Sequence, residues 1–335
     1  MRVGSLAVLA AALATLATTP VAAQPAVWRV ATVAPDGTSW SRELRAWARD
    51  VESVTEGALH VKLYFGGIAG DEATMLDRIR RDQLDGAFGS ELCTQLAPTL
   101  KVGRVIGVFQ SREENAHVLG MLRRTVDAEF LRAGFINFGE AGLGVEQLFS
   151  REPVRDMATM RRMRWWIWSS DEVLPPQAKA LGLTIVRTPL ADAARAYDEH
   201  RFDGFITIPS AALAFQWSAQ VRYVMPLRIS FRSGCFVVAT RAFDALPGNV
   251  QMLVKSLSGK LNHRIEEIGR REDEQLLGGL LQKQGLTALP EDPHFRAEFY
   301  DAAQAMRPGA RVVSDETLAQ VLGWLADFRA LHSGH

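Results

Sequence analysis

The chain has 335 residues, and 38 Lys plus Arg balance 38 Asp plus Glu, so the formal net charge is zero. Nothing in that balance asks for nucleic acid or an anionic membrane as a partner. With two cysteines, Cys93 and Cys235, the chain is no disulfide-framework protein; a bridge between them and two separate buried thiols both fit the sequence.

The first stretch reads as a targeting segment. Arg2 is the only charge before Arg29, Leu6 to Leu16 are apolar, and Val21-Ala22-Ala23 supplies small residues for cleavage before Gln24. The apolar part is too short for a typical bilayer span, and no later run is long and apolar enough. No cysteine follows the cleavage site, so no lipid anchor is expected. An exported, soluble chain of about 310 residues is long enough for two lobes with their own cores.

Trp28 to Val33 alternates like a strand, and Pro35-Asp36-Gly37 makes a turn. Thr38 or Ser39 caps a helix running to about Thr55, on which Trp40, Leu44, Trp47, Val51 and Val54 recur at helical spacing. Leu59 to Phe65 is a second strand. After the glycines Gly66, Gly67 and Gly70 comes a helix over about Glu72 to Arg81, and Asp85-Gly86 turns into a strand over Ala87 to Ser90. Such a βαβαβ run predicts a mostly parallel sheet. Ligands in these sheets sit at the carboxyl ends of the strands, which here means the loops Pro35 to Trp40, Gly66 to Glu72 and Ser90-Glu91.

Short strands over Val105 to Val108 and Phe135 to Phe138 flank a helix near Asn115 to Leu131, and Leu143 to Phe149 is another extended run. In Met163 to Trp168, Met163, Trp165 and Ile167 fall on one face and Arg164, Trp166 and Trp168 on the other, ahead of Ser169, Ser170 and Asp171. The cationic, aromatic face is either a ligand wall or ordinary packing. A helix follows at about Gln177 to Leu181, then a strand over Leu183 to Arg187, a helix over Asp192 to Glu199 and a strand over Phe205 to Ile208. The order helix, Asp-Gly, strand therefore occurs twice, at Asp85-Gly86 and at Asp203-Gly204, as two similar lobes would require. Cys235 to Thr240 is a strand. Pro247 opens a long helical region to about Gln284 with a kink expected near Gly259 or Gly269. Helices over about His294 to Met306 and Asp315 to Leu331 end the chain.

No glycine-rich cofactor loop, nucleophile elbow or His/Cys metal cluster is present, so no enzyme, cofactor or metal is expected.

The ordered series WRVATVAPDGTSWSRELRAWARDVESVTEGALHVKLYFGGIAGDE, QLDGAFGS, EPVRDMATMRRMRWWIW, GLTIVRTPLADAARAYDEHRFDGFITIP and FDALPGNVQ resembles the DctP-type solute receptors of tripartite ATP-independent periplasmic (TRAP) transporters. WIWSSD and AALAFQW resemble a sub-group with a Trp-x-Trp segment. The resemblance implies an α/β, two-lobed periplasmic binding protein fold with mixed sheets, an interlobe cleft and a long connecting helix. With residues 1–23 as signal peptide, residues 28–145 plus 235–260 would form lobe I and residues 146–234 plus 261–331 lobe II. It implies a periplasmic monomer that binds a small solute by hinge closure and hands it to membrane permease subunits. A permease-independent sensor or lipid-shuttling protein on the same fold is the alternative.

Placed on the family's pattern, Trp166 stands where the ligand-binding arginine is usual, Glu146 at the place of a second common arginine, and Arg164 at a lysine. An indole in place of a guanidinium implies a hydrophobic, aromatic or lipid-like solute rather than a simple acid; Arg164 taking over the carboxylate would reverse that. The expected ligand contacts are Trp166, Trp168, Arg164, Asp171, Glu146, Gln216 and Trp217 from the second lobe, and Trp40, Glu72 and Ser90 from the first. Trp40 and Trp217 fit a core role as well, and Asp171 a helix cap.

Overall fold

Asp-Gly, the unit that occurs twice in the sequence, does the same work twice in the fold. In a computed structural model that describes residues 24–332, Asp85 accepts from the backbone N–H of Arg29 at 2.8 Å and from its Nε at 2.9 Å. Asp203 accepts from the backbone N–H of Arg164 at 2.8 Å and from its Nε at 3.0 Å. Each aspartate thus ties the start of its own strand to an arginine on the neighbouring parallel strand. Each glycine lets its strand approach a long antiparallel strand. A Cβ on Gly86 would lie 2.6 Å from the Val237 carbonyl oxygen, and one on Gly204 would lie 2.4 Å from that of Phe149.

The strands are β1 (Ala26–Thr32), β2 (Leu59–Tyr64), β3 (Gly86–Gly89), β4 (Phe135–Ser150), β5 (Arg164–Trp168), β6 (Thr184–Thr188), β7 (Gly204–Thr207), β8 (Tyr223–Ala239) and β9 (Thr287–Ala288). They form one mixed sheet in the order β2-β1-β3-β8-β4-β7-β5-β6, with β9 on β8. The trios β2-β1-β3 and β7-β5-β6 are each parallel. Between them, β4 and β8 run antiparallel through both halves, with register shifts at Asn137/Glu140, Gly142/Gly144 and Glu146/Leu148. The sheet thus has two halves, and β4 and β8 are the strands that cross between them.

Apolar clusters lie on both faces of each half. Trp28 and Val30 pack under the opening helix, Ser39–Val54, while Ala31 enters the cluster on the opposite side. β5 behaves likewise: Trp165 and Ile167 enter one cluster and Trp166 the other. Central parallel strands are covered on both faces, so alternation there separates two cores rather than core from surface.

Several elements differ from the sequence reading. Val105 to Val108 forms no strand; Gly107, with φ +70°, turns the chain there and its N–H donates to the Ile229 carbonyl at 3.0 Å. The extended runs at Phe135 and Leu143 are one strand, and β8 begins twelve residues before Cys235. The long helix spans Gly248–Gln275, and its irregularity falls later, at Gly279 with φ +127°. Gly269 is the point where the helix lies against β4, for a Cβ there would meet the Leu143 carbonyl oxygen at 2.6 Å. The last helix, Asp315–His332, packs on Arg112–Arg132. The signal sequence expected over residues 1–23 lies outside the described residues.

Cys93 and Cys235 form a disulfide, with 142 residues between them in sequence and a Cα–Cα distance of 5.9 Å. It fastens the short helix Glu91–Leu96 to β8.

Candidate ligand-binding cavity

The carboxyl ends of β1, β3, β5 and β7 converge on a cavity of about 810 Å³, counted with its open mouth. That position, at the carboxyl ends of parallel strands, is where a sheet of this kind holds a small molecule. Thr32, Phe88 and Ser90 reach it from the first half, Trp168 and Thr207 from the second, and Arg232 from β8. Trp40 and Leu44 of the opening helix and Asn262 and Ile265 of the long helix complete much of the wall. Four rings, Trp40, Phe88, Trp168 and Phe215, join aliphatic side chains in a largely apolar surface.

Arg232 and Glu72 are the charged side chains on the wall. Arg232 is spoken for by the protein. Its Nε and Nη2 donate to Glu146 Oε1 at 3.0 and 2.6 Å, and its Nη1 donates to Ser90 Oγ at 3.1 Å and to Glu91. Behind it, Arg104, which ends the 3₁₀ segment Pro98–Arg104, donates to Glu91 at 3.1 Å, to Glu146 at 3.3 and 3.4 Å and to Asp171 at 2.7 Å. Gln177 holds this segment in place, accepting from the Ile106 N–H at 2.8 Å and donating to the Arg104 carbonyl at 3.0 Å. Two guanidinium groups, Arg104 buried and Arg232 partly exposed, therefore face three buried carboxylates.

Pairing decides the protonation of these acids. Burial pushes the Glu146 carboxyl up, but Arg104, Arg232 and the Ser230 hydroxyl outweigh it and hold it below the usual range. The same contest leaves Asp171 at about 2, with Arg104 the main opponent of burial. For Glu91 burial wins and its carboxyl is raised.

Glu72 differs from all three. It is 1% exposed, and its oxygens accept only backbone N–H groups, from Ser90 at 3.1 and 2.9 Å and from Leu92 at 2.8 Å. Burial, with the Glu91 charge adding to it, pushes its carboxyl up to about 7, against the pull of those N–H groups and of Arg232.

Of the residues expected to touch ligand, Trp40, Glu72, Ser90 and Trp168 line the cavity together. Trp166 is corrected: it is 1% exposed, donates Nε1–H to the Thr188 carbonyl at 3.3 Å and packs on Trp217 and Phe202. It sits in mid-strand between β6 and β7, whereas Trp168, two residues on, reaches the open end. Trp217 is core as well, packed behind Phe215 with ring centroids 4.8 Å apart. Gln216 is exposed, in a left-handed turn with φ +60°. Arg164 lies at the other end of β5, paired with Asp203 at 2.7 Å. Glu146 and Asp171 face the arginines rather than the cavity, and Asp171 also caps the next helix through the N–H groups of Val173 and Leu174. Arg104 and Arg232 were missed. Arg232 stands between Ser230 and Gly234 in the alternation of β8, and a base among small residues next to an apolar run is the signal that could have found it.

The sequence profile of the bacterial extracellular solute-binding proteins of family 7 (DctP) matches residues 30–308. No curated protein is similar to the chain at a significant level. Solved structures share the fold at low identity. A Bordetella pertussis extracytoplasmic solute receptor binding pyroglutamic acid superposes with a TM-score of 0.81 at 16% identity, covering 88% of this chain and 99% of that one. A Haemophilus influenzae TRAP periplasmic solute-binding protein with bound L-gulonate gives 0.82 at 13% identity, over 90% and 99% of the two chains. One from Xanthobacter autotrophicus with bound β-D-galacturonate gives 0.80 at 15% identity, over 89% and 98%.

Proposed function

The chain belongs to family 7 of the bacterial extracellular solute-binding proteins, and from there we propose that it captures a small, largely apolar solute that carries no carboxylate. The observation behind this reading is the state of Arg232. It is the cation on the cavity wall among the described residues, and Glu146, Glu91 and Ser90 take up its donors. A solute carboxylate would have to displace an internal one from a desolvated site, or stand unpaired beside it, and either is unfavourable. The aromatic wall offers apolar area instead. The acids named for the structural neighbours belong to those proteins; here an acid of the chain itself stands against the guanidinium.

In this proposal the lobes follow the sequence division, residues 28–145 with 235–260 and residues 146–234 with 261–331, and close on the solute about β4 and β8. Binding shifts the population toward the closed form. The receptor works in the periplasm after removal of residues 1–23, and a membrane permease of the TRAP type takes over the solute. The Cys93–Cys235 disulfide suits an oxidising compartment, and no helix among the described residues is long and apolar enough to cross a membrane.

Native mass spectrometry of the protein purified from its own cells tests the solute class. An apolar molecule without an acid group is expected. A co-purified sugar acid or dicarboxylate would overturn the reading.

A further inference from the structure

Glu72 is a buried acid that the fold itself does not neutralise. Its hydrogen bonds come from backbone N–H groups alone, and among the described residues no Lys, Arg or His forms an ion pair with it. The charged groups acting on it are Glu91, on the helix Glu91–Leu96, and Arg232, on β8. Arg232 is already engaged by Glu91 and Glu146. Glu72 on the cavity wall and Glu91, Glu146 and Asp171 behind it thus set four carboxyl groups against two guanidinium groups, Arg232 on the wall and Arg104 behind it. Four aromatic rings share the wall with Glu72.

A desolvated carboxylate without a countercharge costs several kcal/mol, so such groups are paired or protonated. An ammonium group entering this end would supply the missing charge. Its N–H would donate to a carboxylate, and its charge would lie among aromatic faces, which attract cations most strongly where water is excluded.

We propose that the solute is an amphiphilic amine whose ammonium group pairs with Glu72 while its apolar body packs against Trp40, Phe88, Trp168 and Phe215. This rests on the reading of the cavity as the receptor's solute site and adds the head group. An amine is drawn in by the same acidic surplus that turns organic acids away.

Three probes with one indole body separate the two ideas: tryptamine, tryptophol and indole-3-acetate, measured by isothermal titration calorimetry on the mature protein. Tryptamine should bind at least tenfold more tightly than tryptophol, and indole-3-acetate should not bind. The ionised form of Glu72 is the one that takes the ammonium. With its carboxyl at about 7 in the empty cavity, tryptamine affinity should fall about tenfold from pH 8 to pH 6. Tryptophol affinity should stay level over the same range, which serves as the internal control on the unmutated protein. Glu72→Gln should abolish the preference for tryptamine and the pH dependence together while tryptophol still binds. If tryptophol matches tryptamine at every pH, the ammonium proposal fails and the apolar-solute reading stands. If indole-3-acetate binds best, or none of the three binds, both fail.

Discussion

Removing Glu146 tests whether the protein supplies its own acid to its own arginines. Glu146→Ala deletes the acceptor of four hydrogen bonds from Arg104 and Arg232, between 2.6 and 3.4 Å, and of a fifth from the Ser230 hydroxyl. Breaking a buried charged network by removing one partner costs about 3–5 kcal/mol. A folded chain of about 310 residues has an unfolding entropy near its midpoint of roughly 0.65 kcal/mol/K, so Tm should fall by about 5–8 °C. The vacated space is lined by the guanidinium groups of Arg104 and Arg232, and acetate carries the lost carboxylate. At an acetate concentration about a hundredfold above its Kd, linkage returns about 2.7 kcal/mol, or about 4 °C. Differential scanning fluorimetry with acetate, against chloride at equal ionic strength, reads both effects. Wild type should not respond, because Glu146 fills the place. A variant that loses less than about 1 kcal/mol, or an acetate shift equal in both proteins, would refute the argument that an internal carboxylate neutralises the cavity's cation.

Three further outcomes follow from the same geometry. Glu72 and Asp273 are raised by burial to about 7 and about 6, so the folded chain holds protons that the unfolded chain releases from about pH 4. Stability of the empty protein should therefore fall as pH rises from about 4.5 to 7.5, by about 3 kcal/mol for Glu72 alone. Asp171, depressed to about 2, acts with the opposite sign and loses its contribution as pH drops from about 4 to 2. Urea titrations across this range should show the maximum on the acid side of neutrality, and Glu72→Gln should flatten the neutral limb; a stability that climbs from pH 5 to 7.5 contradicts the scheme. Trp166→Ala should cost about 3–5 kcal/mol in urea as a core truncation, whereas Trp168→Ala should mainly reduce retention of co-purified solute in native mass spectra; equal behaviour of the two would place both rings in one environment. Reducing Cys93–Cys235 reopens a loop of 142 residues, for which loop entropy gives an upper value of about 5 kcal/mol; an unchanged urea midpoint in reductant would show that the bridge contributes nothing.

The fold was largely legible because its signals are local. Caps stand where helices begin: Thr38 accepts from the Ser41 N–H at 3.2 Å and Asp71 from the Thr74 N–H at 2.8 Å. The repeated Asp-Gly foretold two similar halves. Alternation along Arg164 to Trp168 separated its faces correctly, with Trp165 and Ile167 on one side and Trp166 on the other. It could not say whether the second face was covered, because that depends on β6, β7 and Trp217, which lie far along the chain. Depth along the strand decided the matter: one end of β5 opens on the cavity, so Trp168 lines it and Trp166 does not. The first half of β8 went unread because Pro226 and Arg228 interrupt its apolar pattern.

The arginines escaped notice for a different reason. Arg104 and Arg232 are 128 residues apart in sequence, and neither belongs to a local pattern with Glu91, Glu146 or Asp171. What joins them is the crossing of β4 and β8, where Gly144 faces Arg232 and Glu146 faces Ser230. Glu91 enters from the first half of the sheet and Asp171 from the end of β5 in the second. The same crossing that joins the lobes therefore brings acid and base together beneath the cavity. A fully buried acid in a crossing strand, as Glu146 is, demands a buried partner on energetic grounds alone. Once that partner is an arginine on the cavity wall, the charge a solute can bring is constrained before any ligand is considered. Three acids have already met two bases, and Glu72 forms no ion pair among the described residues; the proposed amine on an apolar body is the complement of that arrangement.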